Sequence, residues 1–163
     1  MKKVLIIGIV ASGKTSLAKR LSEKINVPWY ELDSIVHHQT STGRYKRTSD
    51  EQVDVIMEID KKGTWIFEGT DRESYQCLYE MADTIIFIDT PLWKRKIRIL
   101  TRYFKQKLGI EKCNYKSNIM MLKMMYKWTR NFEQNRCSFE AKLKLYNEKL
   151  IILSNNSNQN FLS

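Results

Sequence analysis

The residues best suited to chemistry come first in the chain. Gly8-Ile9-Val10-Ala11-Ser12-Gly13-Lys14-Thr15 fits G-x-x-x-x-G-K-[ST], in which glycines let backbone N–H groups close around a phosphate while lysine and hydroxyl supply a cation and a metal ligand. The pattern carries that meaning only between a strand and a helix. Val4-Leu5-Ile6-Ile7 before it is apolar without alternation, as in a strand covered on both faces. After it, Leu17, Ala18, Leu21 and Ile25 recur at helical spacing. In this setting the helix N-terminus adds partial positive charge, Lys14 bridges β- and γ-phosphates, and the Thr15 hydroxyl ligates Mg²⁺. Gly8, Ala11, Ser12, Gly13, Lys14, Thr15 and Ser16 are therefore the candidate contacts for ATP and its Mg²⁺.

Further candidates follow other apolar runs. Residues 27–32 read as a second strand ending at Asp33, residues 64–67 as a third followed by Glu68-Gly69, residues 84–88 as a fourth ending at Asp89, and residues 150–153 as a fifth. Helical patterns separate them: residues 49–62 with Ser49 as N-cap and Gly63 as stop, a long helix from Pro91 to about Leu108 closed by Gly109, and two more over 117–128 and 138–148. Strands alternating with helices imply parallel pairing by right-handed crossovers, hence a three-layer α/β sandwich in one domain. Ligands of such sheets gather at the carboxyl ends of the strands, where Asp33, Glu68, Arg72 and Asp89 fall. Glu68 and Asp89 compete for the role of holding Mg²⁺ through water, and Asp89, just before Thr90-Pro91, also suits a helix cap. Arg95, Arg98 and Arg102 share one stripe of the helix after the fourth strand; they form either a clamp for the charge of a transferred phosphoryl group or a solvated basic face.

The segments Gly8 to Thr15, Leu17-Ala18-Lys19-Arg20-Leu21, Leu32-Asp33, Trp65-Ile66-Phe67-Glu68-Gly69 and Ala82-Asp83-Thr84-Ile85-Ile86-Phe87-Ile88-Asp89-Thr90-Pro91 resemble adenylate-kinase-like P-loop proteins of the topology modulation (FlaR-related) family. The likeness covers most of residues 1–105. It implies a five-stranded parallel sheet in the order 2-3-1-4-5 and a kinase site acting on a nucleoside, a nucleotide or a small hydroxylated metabolite. It also implies Asp33 beside the acceptor hydroxyl, Arg72 on the acceptor side with Glu68, and Arg98 and Arg102 as lid arginines. Two positions depart from the family: Ala11 replaces its usual glycine, and Glu68-Gly69-Thr70-Asp71 replaces its Asp-Gly-Asn-Tyr-like turn.

Composition bounds the remainder. The chain has 163 residues, 42% of them apolar, and a net charge of +10. Residues 91–149 hold 16 Lys and Arg against four Asp and Glu, whereas the rest hold 12 against 14. All the excess lies in that one stretch, which suits phosphates, nucleic acid or an anionic surface. Basic residues there interleave with Tyr103, Phe104, Tyr115 and Tyr126, which allows the second reading of a nucleotide-binding regulator that touches DNA or RNA. Met120, Met121, Met124 and Met125 with Leu122 and Trp128 read as a packing face in preference to a membrane or partner groove, and His37-His38 as surface loop in preference to a lining of the acceptor pocket. Cys77, Cys113 and Cys137 are odd in number and lack metal spacing, which points to the cytoplasm rather than a disulfide framework. No apolar run nears the roughly 20 residues of a membrane span, so membrane insertion is not expected.

Overall fold

The computed structural model describes residues 2–40, 43–110 and 119–154. Its sheet is built around β1 (Lys3–Ile7), whose neighbours are β5 (Trp65–Gly69) and β6 (Thr84–Asp89). With β2 (Trp29–Glu31) outside β5 and β7 (Leu150–Ser154) outside β6, the order is β2-β5-β1-β6-β7, every pair parallel. Counting sheet strands alone, this is the expected 2-3-1-4-5.

Register explains where side chains end up. Ile6 lies opposite Glu68 and Ile86, and Glu31 lies opposite Glu68, so the sheet delivers the ends of β1, β2 and β5 to one rim. Alternation splits β1 between two cores: Leu5 and Ile7 face Trp65, Phe67 and Phe87, while Val4 and Ile6 face Leu17, Ala18 and Leu21 of α1 (Lys14–Ile25). Both faces are dry, which is why β1 reads as an uninterrupted apolar run.

Several boundaries differ from the expectations. The second strand stops at Glu31, and Asp33 sits in the short helix α2 (Leu32–Val36). His37 and His38 are half-buried members of an antiparallel hairpin, β3 (His37–Thr40) with β4 (Gly43–Lys46), rather than surface loop. Helix α3 runs over Ser49–Asp60, and its N-cap is Thr48, whose hydroxyl accepts from Glu51 N while the Glu51 carboxylate accepts from Thr48 N. That reciprocal pair is a capping box, and it displaces Ser49 from the cap into the first turn.

After β5 come a 3₁₀ turn (Glu73–Tyr75), α4 (Cys77–Met81) and β6, then α5 (Leu92–Lys107). The two helices expected late in the chain are one, α6 (Ile119–Lys144). Nothing between residues 128 and 138 breaks a helix; the polar side chains there bond within the helix or across to other elements, as Asn135 does to Asn131 O and Arg136 to Glu140. Its expected start at Ser117, together with Lys112, Cys113, Tyr115, Lys116 and the polar stretch after Ser154, lies outside the described residues. The methionine cluster divides instead of packing as a unit: Met125 is buried, Met121 and Leu122 are half-buried, and Met120, Met124 and Trp128 are exposed. Cys77 and Cys137 are free thiols. Among the described residues no helix is long and apolar enough to cross a membrane.

Candidate active site

The loop from Gly8 to Gly13 leaves β1 and enters α1 in the conformation its glycines require. A Cβ on Gly8 would stand 2.6 Å from Ser12 Oγ and 3.2 Å from the Ile88 carbonyl, and Gly13 caps α1 at φ 102°, a left-handed value that penalises other residues. Ala11 takes φ 60°, which accounts for the glycine preferred there by the resembling family. Gly8 N donates to the Gly69 carbonyl at 3.2 Å and Ser12 N to the Ile9 carbonyl at 3.2 Å, fixing the loop between β5 and its own turn. Ser12 is fully buried, whereas Ser16 is exposed on α1.

Lys14 donates from Nζ to the Ile9 carbonyl at 3.0 Å, held inside the arch of the loop. Burial pushes its ammonium below the ordinary lysine range, while Glu68, Asp33 and Glu31 pull it back up and Arg102 adds to the depression. One cation thus stands in the field of three carboxylates and an arginine. Thr15 Oγ1 donates to Glu68 Oε1 at 2.7 Å. Glu68 is only 2% exposed, and burial raises its carboxyl above the usual range despite the opposing pull of Lys14 and Thr15. Its ionised form is therefore stored at a cost that a neighbouring cation would relieve.

Beyond the end of β5, Arg72 Nη2 donates to Asp33 Oδ1 at 2.7 Å, both groups being partly exposed. Arg72 of that pair also borders a cleft of about 510 Å³, whose wall includes Lys46, Arg47, Gln52, Glu73 and Ser74. Arg47 braces its wall, donating to the Ile35 carbonyl at 2.7 Å and pairing with His38 Nδ1 at 2.9 Å. His37 on the hairpin is pushed toward its neutral form by burial and by the charges of Arg44 and Arg72.

The arginine stripe does not act as a unit. Arg95 is 1% exposed; it donates to the Thr90 carbonyl at 2.8 Å and to Glu133 of α6, and stacks on Phe132. A side chain so tied is a strut between helices and cannot reach a phosphate. Arg98 turns to the P-loop, Nη1 donating to the carbonyls of Ala11 at 3.2 Å and Ser12 at 3.0 Å. Arg102, exposed one turn on, lies close enough to act on Lys14. Asp89 is held by Arg136 of α6 at 2.5 Å, so this carboxylate is engaged away from the loop, and Glu68 is the one joined to Thr15.

Glu31 belongs to the same charge cluster, acting on both Lys14 and Glu68, although no motif marks it. It ends β2 opposite Glu68 and two positions before Asp33. The signal was there, two acids at i and i+2 on a strand end, and it needed the β2–β5 register to acquire meaning.

Loop and sheet order can be set beside proteins of known structure. The chain shares its fold, a five-stranded parallel sheet between helices, with solved kinases. Shikimate kinase from Bacteroides thetaiotaomicron superposes over 93% of this chain and 84% of its own with TM-score 0.52 at 13% identity. A gluconokinase from Sinorhizobium meliloti covers 94% and 82% at 0.50 and 14% identity. An uncharacterised protein from Eubacterium ventriosum covers 99% and 97% at 0.51 and 12% identity. In sequence, a shikimate kinase of Flavobacterium psychrophilum is 42% identical over 41 residues, 25% of this chain and 24% of that protein; the match spans about a quarter of the curated relative. No family model matches the chain, so the likeness to topology modulation proteins stays with the segments that carry it.

Proposed function

We propose that this protein is an ATP- and Mg²⁺-dependent kinase that transfers the γ-phosphoryl group to a hydroxyl of a small metabolite. The observation that supports it best is the meeting of Lys14, Thr15 with Glu68, and Asp33 with Arg72 at the carboxyl ends of β1, β5 and β2. A nucleotide-binding switch needs the first two; the paired Asp33 beside a cleft is what an acceptor needs.

The donor set fits Mg²⁺. Thr15 hydroxyl and Glu68 carboxylate are hard oxygen ligands, and Glu68 is a buried acid whose charge lacks full compensation. Thr15 would hold the ion directly and Glu68 through water; when bound, the ion neutralises charge on the β- and γ-oxygens. Lys14 would exchange the Ile9 carbonyl for phosphate oxygens, and the amides from Gly8 to Ser16 would wrap them. Asp33 would take the proton of the attacking hydroxyl as the new P–O bond forms and ADP leaves, with Arg72 fixing the carboxylate's orientation. Arg98 and Arg102 would move onto the transferring group, Arg98 giving up two loop carbonyls.

Three cations against one acid, Glu73, on the cleft wall favour an acceptor with a carboxylate or phosphate beside its hydroxyl, and 510 Å³ suits a molecule of sugar to nucleotide size. The test is a panel of sugar acids, sugar phosphates, nucleoside monophosphates and neutral polyols with Mg²⁺-ATP. Transfer should go to anionic acceptors, vanish in Lys14→Ala, and fall about 10²–10⁴-fold in Asp33→Asn. ATP binding without transfer to any acceptor sinks the reading.

A further inference from the structure

Helix α5 carries a face that the proposed kinase chemistry does not use. Trp93, Ile97, Leu100, Phe104 and Leu108 follow one another at steps of four, three, four and four, so they form one stripe along the helix and its C-cap. All five are exposed, from 42% at Leu100 to 72% at Leu108. The buried residues of the helix, Arg95 and Ile99, lie on the opposite side. The stripe therefore points away from the body of the protein. Met120, Met124 and Trp128, spaced by four, make a second exposed apolar row on the first turns of α6.

Cations border both rows. Lys96, Lys105 and Lys107 are exposed along α5, and Lys123, Lys127 and Arg130 along α6. Residues 92–110 and 119–132 contain no Asp or Glu at all. Tyr126 joins the two helices through its hydroxyl, which donates to the Lys96 carbonyl at 3.1 Å.

We infer that α5 and the start of α6 form a docking surface for an anionic lipid bilayer, lying in the headgroup plane with the Trp93–Leu108 stripe among the upper acyl chains. A central apolar row with lysines on either side is the arrangement an interfacial helix requires, the lysine stems reaching outward to lipid phosphates. Charge argues against the other occupants. A second copy would bring a like-charged face, since residues 91–149 hold 16 basic against four acidic residues. A nucleic-acid strand would meet hydrocarbon along the centre line, where its phosphates need cations.

The experiment is co-sedimentation of the full chain with vesicles of phosphatidylcholine alone or mixed with phosphatidylglycerol, repeated with tryptophan quenching by brominated acyl chains. Binding should require the anionic lipid, weaken steeply with added salt, and quench tryptophan. Phe104→Glu with Ile97→Glu should lower affinity by more than about tenfold, with ATP binding unchanged as the check on folding. Four results overturn the inference: no binding to anionic vesicles at low salt, binding equal in the double variant, no quenching by bromine in the acyl chains, or a wild-type dimer in sedimentation equilibrium that the double variant dissolves. Because these readouts do not involve phosphoryl transfer, an inactive but lipid-binding protein would refute the kinase reading alone.

Discussion

Ala11 and Glu68 are two residues where the site works against stability. Ala11 holds φ 60°, a conformation costing an L-residue about 1–2 kcal/mol. Ala11→Gly should recover a part of that, raising Tm by roughly 2–4 °C in a melt without nucleotide. Glu68 is the larger case. Its folded-state pKa is raised by burial, so between the unfolded and folded values the folded protein binds the extra proton and stability falls as pH rises. At neutral pH the ionised group is thus a net cost, and Glu68→Gln should melt higher than the parent while losing Mg²⁺-dependent activity; a variant that melts lower contradicts the burial argument. The P-loop was legible in the sequence because its geometry is local, eight residues between a strand and a helix. Arg95 was not: spacing shows that Arg95, Arg98 and Arg102 share a stripe, but only the packing of Glu133 and Phe132 shows which end of it is buried.

Among the elements, α6 does the most to join parts distant in sequence. Glu133 holds Arg95 of α5, Arg136 holds the end of β6 through Asp89, and Lys142 reaches Asp71 after β5 at 2.6 Å. Glu133→Leu leaves the Arg95 guanidinium buried without its counter-charge and should cost about 3 kcal/mol in urea unfolding. It should also loosen α5, and with it Arg98 on the P-loop, visible as weaker ATP binding at a temperature where the variant is still folded. At the other end of the sheet, Thr48→Ala removes the capping box of α3 and should cost about 1 kcal/mol. The strands were legible element by element, since four of five are short apolar runs. The β3–β4 hairpin escaped because His37-His38-Gln39-Thr40 and Gly43-Arg44-Tyr45-Lys46 bury little and lack the alternation of a half-covered strand. The continuity of α6 escaped because a polar middle section looks like a loop until its partners on β6 and α5 are seen.

At the scale of the whole molecule, acid should act first on the start of β1. Asp60 is held below the ordinary range by its bond to Lys3 and by Trp65 Nε1, at 2.7 and 2.8 Å. In Asp83 burial pushes upward but is outweighed by the backbone N–H groups of Lys3 and Lys2. Depressed carboxylates stabilise above their unfolded pKa and lose that contribution as pH falls through the folded value. Urea midpoints should therefore hold near neutrality and drop below about pH 4, and Asp60→Asn should flatten part of that drop. The sheet order, the last large feature, bears on how the chain is made. The ribosome releases β1 first, yet β1 is the central strand, and neither neighbour exists until residues 65–69 and then 84–89 have followed. Val4-Leu5-Ile6-Ile7 must wait through dozens of codons with both edges open. Its shelter on one side is α1, which closes over Val4 and Ile6; on the other side α2 and α3 supply only part of the core of Leu5 and Ile7, which stays incomplete until Trp65, Phe67 and Phe87 emerge. For a nascent chain this is the interval in which a chaperone has something to hold, and a product stalled before residue 65 should aggregate more readily than one stalled after residue 89.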